Sequence, residues 1–325
     1  MNKNKTSSIR PHSLQAWLAF MRPKTFWIAA VPVFVGTSFS LSIAGTLNFW
    51  TFLLTLLGAV CIQAMSNMQN DYGYNTRKAE NGTRTGLPRA TSEGWISMLA
   101  AKNMILFMIV LCAVIAVLLV AIGGWPILLI SILSVVCAYC YMAGPLPIAY
   151  TPFGEFLVLV FYGWGAVCGT YWLQTQQFSW PIFICGSAIG LYGADVLFVN
   201  NFRDIEHDLS VGRKTLASFT GRTYGVLLYK VTLYLPFVIV GWLVPSNPLF
   251  WPLLFTLVAL PRASLLAGSL GLAKGMAINE VMFKTVKLEL LFGLLLVFSS
   301  LYIAYMKYST NLLNIISFSC PFSCL

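Results

Sequence analysis

The sequence predicts an all-α polytopic membrane protein, with about nine transmembrane helices in a single bundle. Three observations carry that prediction. Of 325 residues, 58% are apolar and only 9% are charged. Apolar runs long enough to cross a hydrocarbon core roughly 30 Å thick recur along most of the chain. The basic residues are confined to alternate connections between those runs. A segment in lipid must satisfy its own backbone N–H and C=O groups, so the spans are read as helices.

Residues 1–24 form a basic N-terminal tail carrying Lys3, Lys5, Arg10, Arg22 and Lys24. Ser42-Ile43-Ala44 imitates a signal-cleavage site, but the long polar lead and the full-length first span argue against a cleaved signal. The transmembrane domain covers 25–307, with spans expected at 26–45, 50–70, 98–123, 125–143, 154–174, 180–201, 223–244, 249–271 and 286–306. A C-terminal tail, 308–325, contains Cys320 and Cys324. The other six cysteines lie in apolar spans and read as small core residues. Cys137-x-x-Cys140 has no histidine or acid near it, so neither zinc nor redox chemistry is read from it.

The connections 71–97, 144–153, 202–222 and 272–285 hold most of the remaining basic residues, and the opposite loops (46–49, Gly124, 175–179, 245–248) hold none. The positive-inside rule therefore places the N-terminus and those connections in the cytoplasm. Asp71, Glu80, Glu93, Asp204, Glu206 and Asp208 share that side, so function is expected at one membrane face. The net charge of +10 does not indicate nucleic-acid binding, because the basic residues sit between spans and not on a soluble face. Lipid headgroups and an anionic substrate suit them better.

Two polar patches stand out. In the first, Gln63, Asn67, Asn70 and Asp71 fall at i, i+4, i+7 and i+8, which makes a polar stripe on an otherwise apolar helix. Such stripes usually face a bundle interior or a cavity, although amides bonding neighbouring helices would give the same pattern. Glu80 follows, then a turn at Gly86 and Pro88 that would present Arg84 and Arg89 together. In the second patch Asn200, Asp204 and Asp208 are spaced by four, so a helix would put them on one face. Two carboxylates so close repel each other unless a cation lies between them, and magnesium suits an oxygen-only site that also takes substrate phosphates. Arg203, Arg213 and Lys214 could hold those phosphate oxygens. The patches follow the second and sixth spans. That offset suggests a pseudo-repeat whose ends face one another across a bundle and hold a diphosphate through metal ions.

Asn70-Asp71-Tyr72-Gly73 with Arg84, Gly86 and Arg89, and Asn200-Asn201-Phe202-Arg203-Asp204-Ile205-Glu206-His207-Asp208 with Gly212, Lys214, Thr215 and Leu216, resemble the two aspartate-rich signatures of the UbiA-type intramembrane aromatic prenyltransferases. Arg22-Pro23-Lys24-Thr25, the run from Gly144 to Tyr150, Gly154-Glu155 and Gly163-Trp164 are similar to the 1,4-dihydroxy-2-naphthoate polyprenyltransferases within them. The resemblance spans roughly 17–305. It implies a lipid-accessible chamber at the cytoplasmic side of a bacterial inner membrane. It also implies transfer of a polyprenyl group from polyprenyl diphosphate to dihydroxynaphthoate, with loss of CO2 and diphosphate, giving demethylmenaquinone. Another aromatic acceptor, 4-hydroxybenzoate or homogentisate, is the alternative within the family.

The resemblance further implies Mg2+ at Asp71, Glu80, Asp204 and Asp208, helped by Asn67, Asn70 and Asn200. Asp71, Asp204 and Asp208 are the expected catalytic acids. Arg84, Arg89, Arg203, Arg213, Lys214, Tyr72, Tyr150 and Asp195 are expected at the substrates. Tyr72, Tyr139, Tyr150 and Phe198 are candidates to stabilise an allylic cation. The first signature departs from the family pattern, because Tyr74 stands where a second acid is usual. Either Asp71 and Glu80 hold the first metal with amide help, or it is held weakly. Lys230, Arg262 and Glu289, at membrane depth or its edge, are expected to pair between helices. A transporter would also be polytopic, but it needs polar groups through its full depth, and here the outward loops carry almost no charge and the polar stripe stops near one surface.

Overall fold

The computed structural model describes residues 9–79, 86–145 and 147–318. Among these, eleven helices occur in order. They are α1 (Leu14–Met21), α2 (Phe26–Phe39), α3 (Phe49–Thr76), α4 (Met98–Gly123), α5 (Trp125–Cys140), α6 (Gly154–Thr175), α7 (Trp180–Arg203), α8 (Ile205–Ser210), α9 (Leu216–Gly241), α10 (Pro248–Ser269) and α11 (Ala277–Phe318). Ser13, Asn48, Ser97 and Thr215 cap α1, α3, α4 and α9 by accepting a backbone N–H in the first turn. Eight stretches are long and apolar enough to cross a membrane. They match eight of the nine expected spans, and large apolar side chains such as Leu106, Val117 and Val238 face outward, as lipid contact requires. The protein is an integral membrane protein.

The exception is α5. At 16 residues it is about 24 Å long, short of the hydrocarbon core. The chain leaves the helix at Tyr141 and turns at Gly144 (φ 79°) before Pro145, so the last residues expected in that span belong to a capping turn instead. The last helix differs in the other direction, starting at Ala277 rather than 286 and running past 307 to Phe318. Its charged first turns read as loop in the sequence. They are an exposed helical face on which Glu280 and Lys284 pair at 2.7 Å, four residues apart. Part of the expected N-terminal tail is also ordered, since α1 buries Ala16 and Phe20 against Ala64 and Met65 of α3.

The core has two main bodies. Residues of α2, α6, α7, α9, α10 and α11 form one, and residues of α1, α3, α4 and α5 form the other. A small cap of Tyr74, Ala79, Met142 and Ala149 closes the charged end. α7 packs against α2, α6, α9 and α11, and its crossing with α6 depends on glycine. A Cβ on Gly163 would lie 2.5 Å from the carbonyl oxygen of Gly186, and one on Gly190 would lie 2.7 Å from that of Leu159. These obstacles are backbone, so a side chain there separates the helices. Gly163→Val is expected to destabilise the bundle by about 1–3 kcal/mol. An unchanged thermal midpoint in detergent would contradict this packing.

Candidate active site

Between the two core bodies lies a chamber of about 720 Å³. Its wall is apolar over most of its depth, with Ile115, Leu119, Ile130 and Phe161 among the lining side chains. At the end where α3 and α7 finish, the wall is polar and carries Arg22, Lys24, Asn67, Asn70, Asn200 and Arg203. Amides of both patches and Arg203 therefore meet at one end of one cavity, whereas Asp71, Asp204 and Asp208 stand behind its lining residues.

The first patch splits between wall and support. Gln63, Asn67 and Asn70 line the chamber. Asn67 Nδ2 donates to Met21 O and Thr25 Oγ1, both at 2.9 Å, which ties α3 to the start of α2. Tyr162 Oη donates to Gln63 Oε1. Asp71 turns away from the chamber and is fully buried. Its carboxylate accepts from Ala90 N at 2.9 Å, Thr91 N at 3.0 Å and Thr91 Oγ1 at 2.7 Å, with Arg22 Nη2 at 3.7 Å. Asp71 thus pins the 90–91 segment beneath α3. Arg89 is buried and donates to Asn70 Oδ1 at 3.3 Å. Glu80 and Arg84 lie outside the described residues. Tyr72 packs into the α1/α3/α4 core, and the Asn75 amide nitrogen meets Met98 Sδ.

The second patch is a set of acid–arginine pairs. The helix does not run straight through it, because α7 ends at Arg203 and Asp204 adopts φ −100°, ψ 15° before α8 begins. One turn is kept across the break by Asp208 N donating to Asp204 O at 2.8 Å. Arg203 holds Asp204 through two bonds, Nε–Oδ1 at 2.9 Å and Nη2–Oδ2 at 2.5 Å, and it also reaches Asn200 Oδ1 and Asn279 Oδ1. Arg213 Nη1 meets Asp208 Oδ1 at 2.7 Å, and its Nε donates to Ala149 O at 3.0 Å. Burial pulls the pKa of Arg213 down to about 9, so it is still a cation at neutral pH beside the carboxylate. Lys214 is exposed, with its backbone N–H on Tyr150 O. Asn201 Nδ2 bonds Glu155 Oε1 at 2.9 Å and fastens this patch to the start of α6.

Asp195 sits behind the wall, accepting from Thr232 Oγ1 of α9 at 2.5 Å. Glu289 does not pair between helices as expected, since neither of its oxygens has a hydrogen-bond partner. Lys230 is exposed. The aromatic residues on the chamber wall include Tyr141, Phe161 and Tyr162. Phe198 is buried against Phe202, and Tyr139 is exposed. The sequence reading missed Tyr162, whose one signal was its place beside Gly163-Trp164. It also missed Arg22 and Lys24 as wall residues. Arg22 reaches the chamber because it ends α1 in a left-handed conformation (φ 55°) just before Pro23.

Oxygen is the donor at every candidate metal position: carboxylates at Asp204 and Asp208, amide oxygens at Asn67, Asn70 and Asn200. That chemistry suits a hard cation such as magnesium. Among the described residues no three His, Cys, Asp or Glu side chains are gathered into a ready cage. The acids stand instead in ion pairs with arginine.

A polar, arginine-lined end on an apolar chamber fits a substrate with an anionic head and a greasy tail. Residues 29–274 match the UbiA prenyltransferase family. The chain belongs to that family. Among curated UbiA relatives, 1,4-dihydroxy-2-naphthoate octaprenyltransferase of Escherichia coli is 33% identical over 62% of this chain and 67% of its own length. The enzyme of the same description from Haemophilus influenzae is 31% identical over 73% of this chain and 81% of its own. Two UbiA homologues share the fold. One from Aeropyrum pernix has TM-score 0.64 and 15% identity, covering 85% of this chain and 97% of its own. One from Archaeoglobus fulgidus, solved bound to GPP and Mg2+, has TM-score 0.62 and 16% identity, covering 87% and 99%. The protein is a UbiA-family prenyltransferase.

Proposed function

We propose that this prenyltransferase moves a polyprenyl group from polyprenyl diphosphate to 1,4-dihydroxy-2-naphthoate, releasing CO2 and diphosphate and giving demethylmenaquinone. The observation that carries this reading is that Asn70 of the first aspartate-rich signature and Asn200 and Arg203 of the second line the polar end of one apolar chamber. The names of the relatives in E. coli and H. influenzae point to the naphthoate acceptor. We place the N-terminus and the site on the cytoplasmic side of a bacterial inner membrane, on the distribution of basic residues.

Asp204 and Asp208, with Asn200, would hold magnesium, and Asn67 and Asn70 offer amide oxygens from the facing wall. Asp71 contributes by fixing the 90–91 segment, and Glu80 and Arg84 remain assigned by the signature. Bound there, magnesium would neutralise charge growing on the departing diphosphate. Arg22, Lys24 and Arg203 share that work from the wall, and Arg89, Arg213 and Lys214 add positive charge around it. The apolar depth of the chamber takes the isoprenoid tail and keeps water from the allylic carbon. Tyr141, Phe161 and Tyr162 offer ring faces to that carbon as it gains positive charge.

The test is product mass spectrometry on purified protein in liposomes, given dihydroxynaphthoate, mixed prenyl diphosphates and magnesium, with an EDTA control. A magnesium-dependent, prenylated and decarboxylated naphthoquinol is expected. Product from 4-hydroxybenzoate or homogentisate alone would move the acceptor and keep the family, and no product from any of the three would reject the reading.

A further inference from the structure

Tyr74 stands where the family signature leads one to expect an acid, and the fold gives it other work. Its ring is buried, with the guanidinium carbon of Arg89 3.4 Å and that of Arg213 5.1 Å from the ring centre. The pattern continues beyond it. Arg213 lies 5.9 Å from the Tyr150 ring, and Arg77 lies 5.4 Å from the same ring. Arg89, Tyr74, Arg213, Tyr150 and Arg77 therefore alternate cation and aromatic ring across the charged end of the bundle. Each arginine is also fastened elsewhere: Arg89 to Asn70 of the first patch, Arg213 to Asp208 of the second, and Arg77 to Met142 O at 3.0 Å. Gly73 allows α3 to come close enough, since a Cβ there would lie 2.4 Å from Met142 Cβ.

Two guanidinium groups held against one ring repel each other. An aromatic face attracts both without cancelling their charge, whereas a carboxylate at the same place would neutralise them. We propose that Tyr74 is a positioning residue that joins the two signatures. Its ring holds Arg89, bonded to Asn70 of the chamber wall, and Arg213, bonded to Asp208, side by side as cations behind the polar end, so that both add positive charge to the diphosphate site. On this view the missing acid is not a weakened metal ligand. The chain has exchanged a carboxylate for an aromatic link between the arginines. The proposal rests on the reading that this end of the chamber binds diphosphate.

The test is calorimetric binding of inorganic pyrophosphate, with and without magnesium, to purified protein in detergent, with thermal unfolding alongside. Tyr74→Phe keeps the ring and is expected to bind within about threefold of wild type. Tyr74→Leu removes it and is expected to weaken binding roughly tenfold, the scale of a desolvated cation–π contact. Arg89→Lys keeps the charge, loses the planar stack and is expected to weaken binding similarly, which serves if Tyr74→Leu does not fold. Tyr74→Asp decides between the accounts. Weaker pyrophosphate binding supports the aromatic link; tighter magnesium-dependent binding overturns it and makes position 74 a lapsed metal site. Full-strength binding by Tyr74→Leu or Arg89→Lys also overturns it. Absence of binding by wild-type protein would instead reject the diphosphate reading itself.

Discussion

Asp204→Asn and Asp208→Asn each lower prenyl transfer by at least roughly a hundredfold, the loss expected when several kcal/mol of charge stabilisation leave the reaction. Both also cost stability, and a double variant separates chemistry from architecture. Arg203 is buried beside Asp204 and keeps only the neutral acceptors Asn200 and Asn279 when Asp204 is neutralised, so Asp204→Asn also loses stability in thermal unfolding. Arg213 pairs with the Asp208 carboxylate, and both groups are buried. Making Asp208 neutral leaves a buried cation without its counter-charge, at a cost of about 3–5 kcal/mol. The double variant Asp208→Asn/Arg213→Gln regains much of that stability and stays inactive. Wild-type turnover by either single variant would remove these acids from the chemistry, and inactivity that vanishes in the double variant would make Asp208 a structural partner only.

Asp71→Asn is expected to lose transfer and stability together. The carboxylate accepts three hydrogen bonds from Ala90 and Thr91, and each of its two oxygens faces a backbone N–H. An amide has one accepting oxygen, and its NH2 would oppose a donor, so a destabilisation of about 2–4 kcal/mol follows. Hydrogen exchange locates the effect, with faster exchange expected at 90–96. Lost transfer with unchanged exchange and unchanged unfolding would mean that Asp71 serves the substrate or metal directly.

These expectations rest partly on residues that could be read from the chain and partly on contacts that could not. Gln63, Asn67 and Asn70 were legible as a stripe, because steps of four and three residues return to one helix face, and that face is a chamber wall. Asp71 was assigned to the same stripe and lies about 100° further round the helix than Asn70, enough to carry its carboxylate into the 90–91 segment. Asn200, Asp204 and Asp208 were legible by spacing, although the break at Asp204 was not, since nothing in the local sequence forbids a continuing helix.

The sequence by itself determined the class of protein, the approximate ends of eight of its nine expected spans and the confinement of charge to one end, and its motifs pointed to the family. Class, spans and charge follow from local composition and periodicity, because lipid sets the length and polarity of every span. Tertiary structure alone decided which arginine neutralises which acid, that Glu155 holds Asn201, and that Arg22 and Lys24 face the chamber. It also decided that Tyr74 lies against Arg89 and Arg213. Those contacts join residues far apart in the chain, and they depend on the rotation of each helix about its axis and on where glycine lets two backbones touch. Neither quantity is written in any single stretch of sequence.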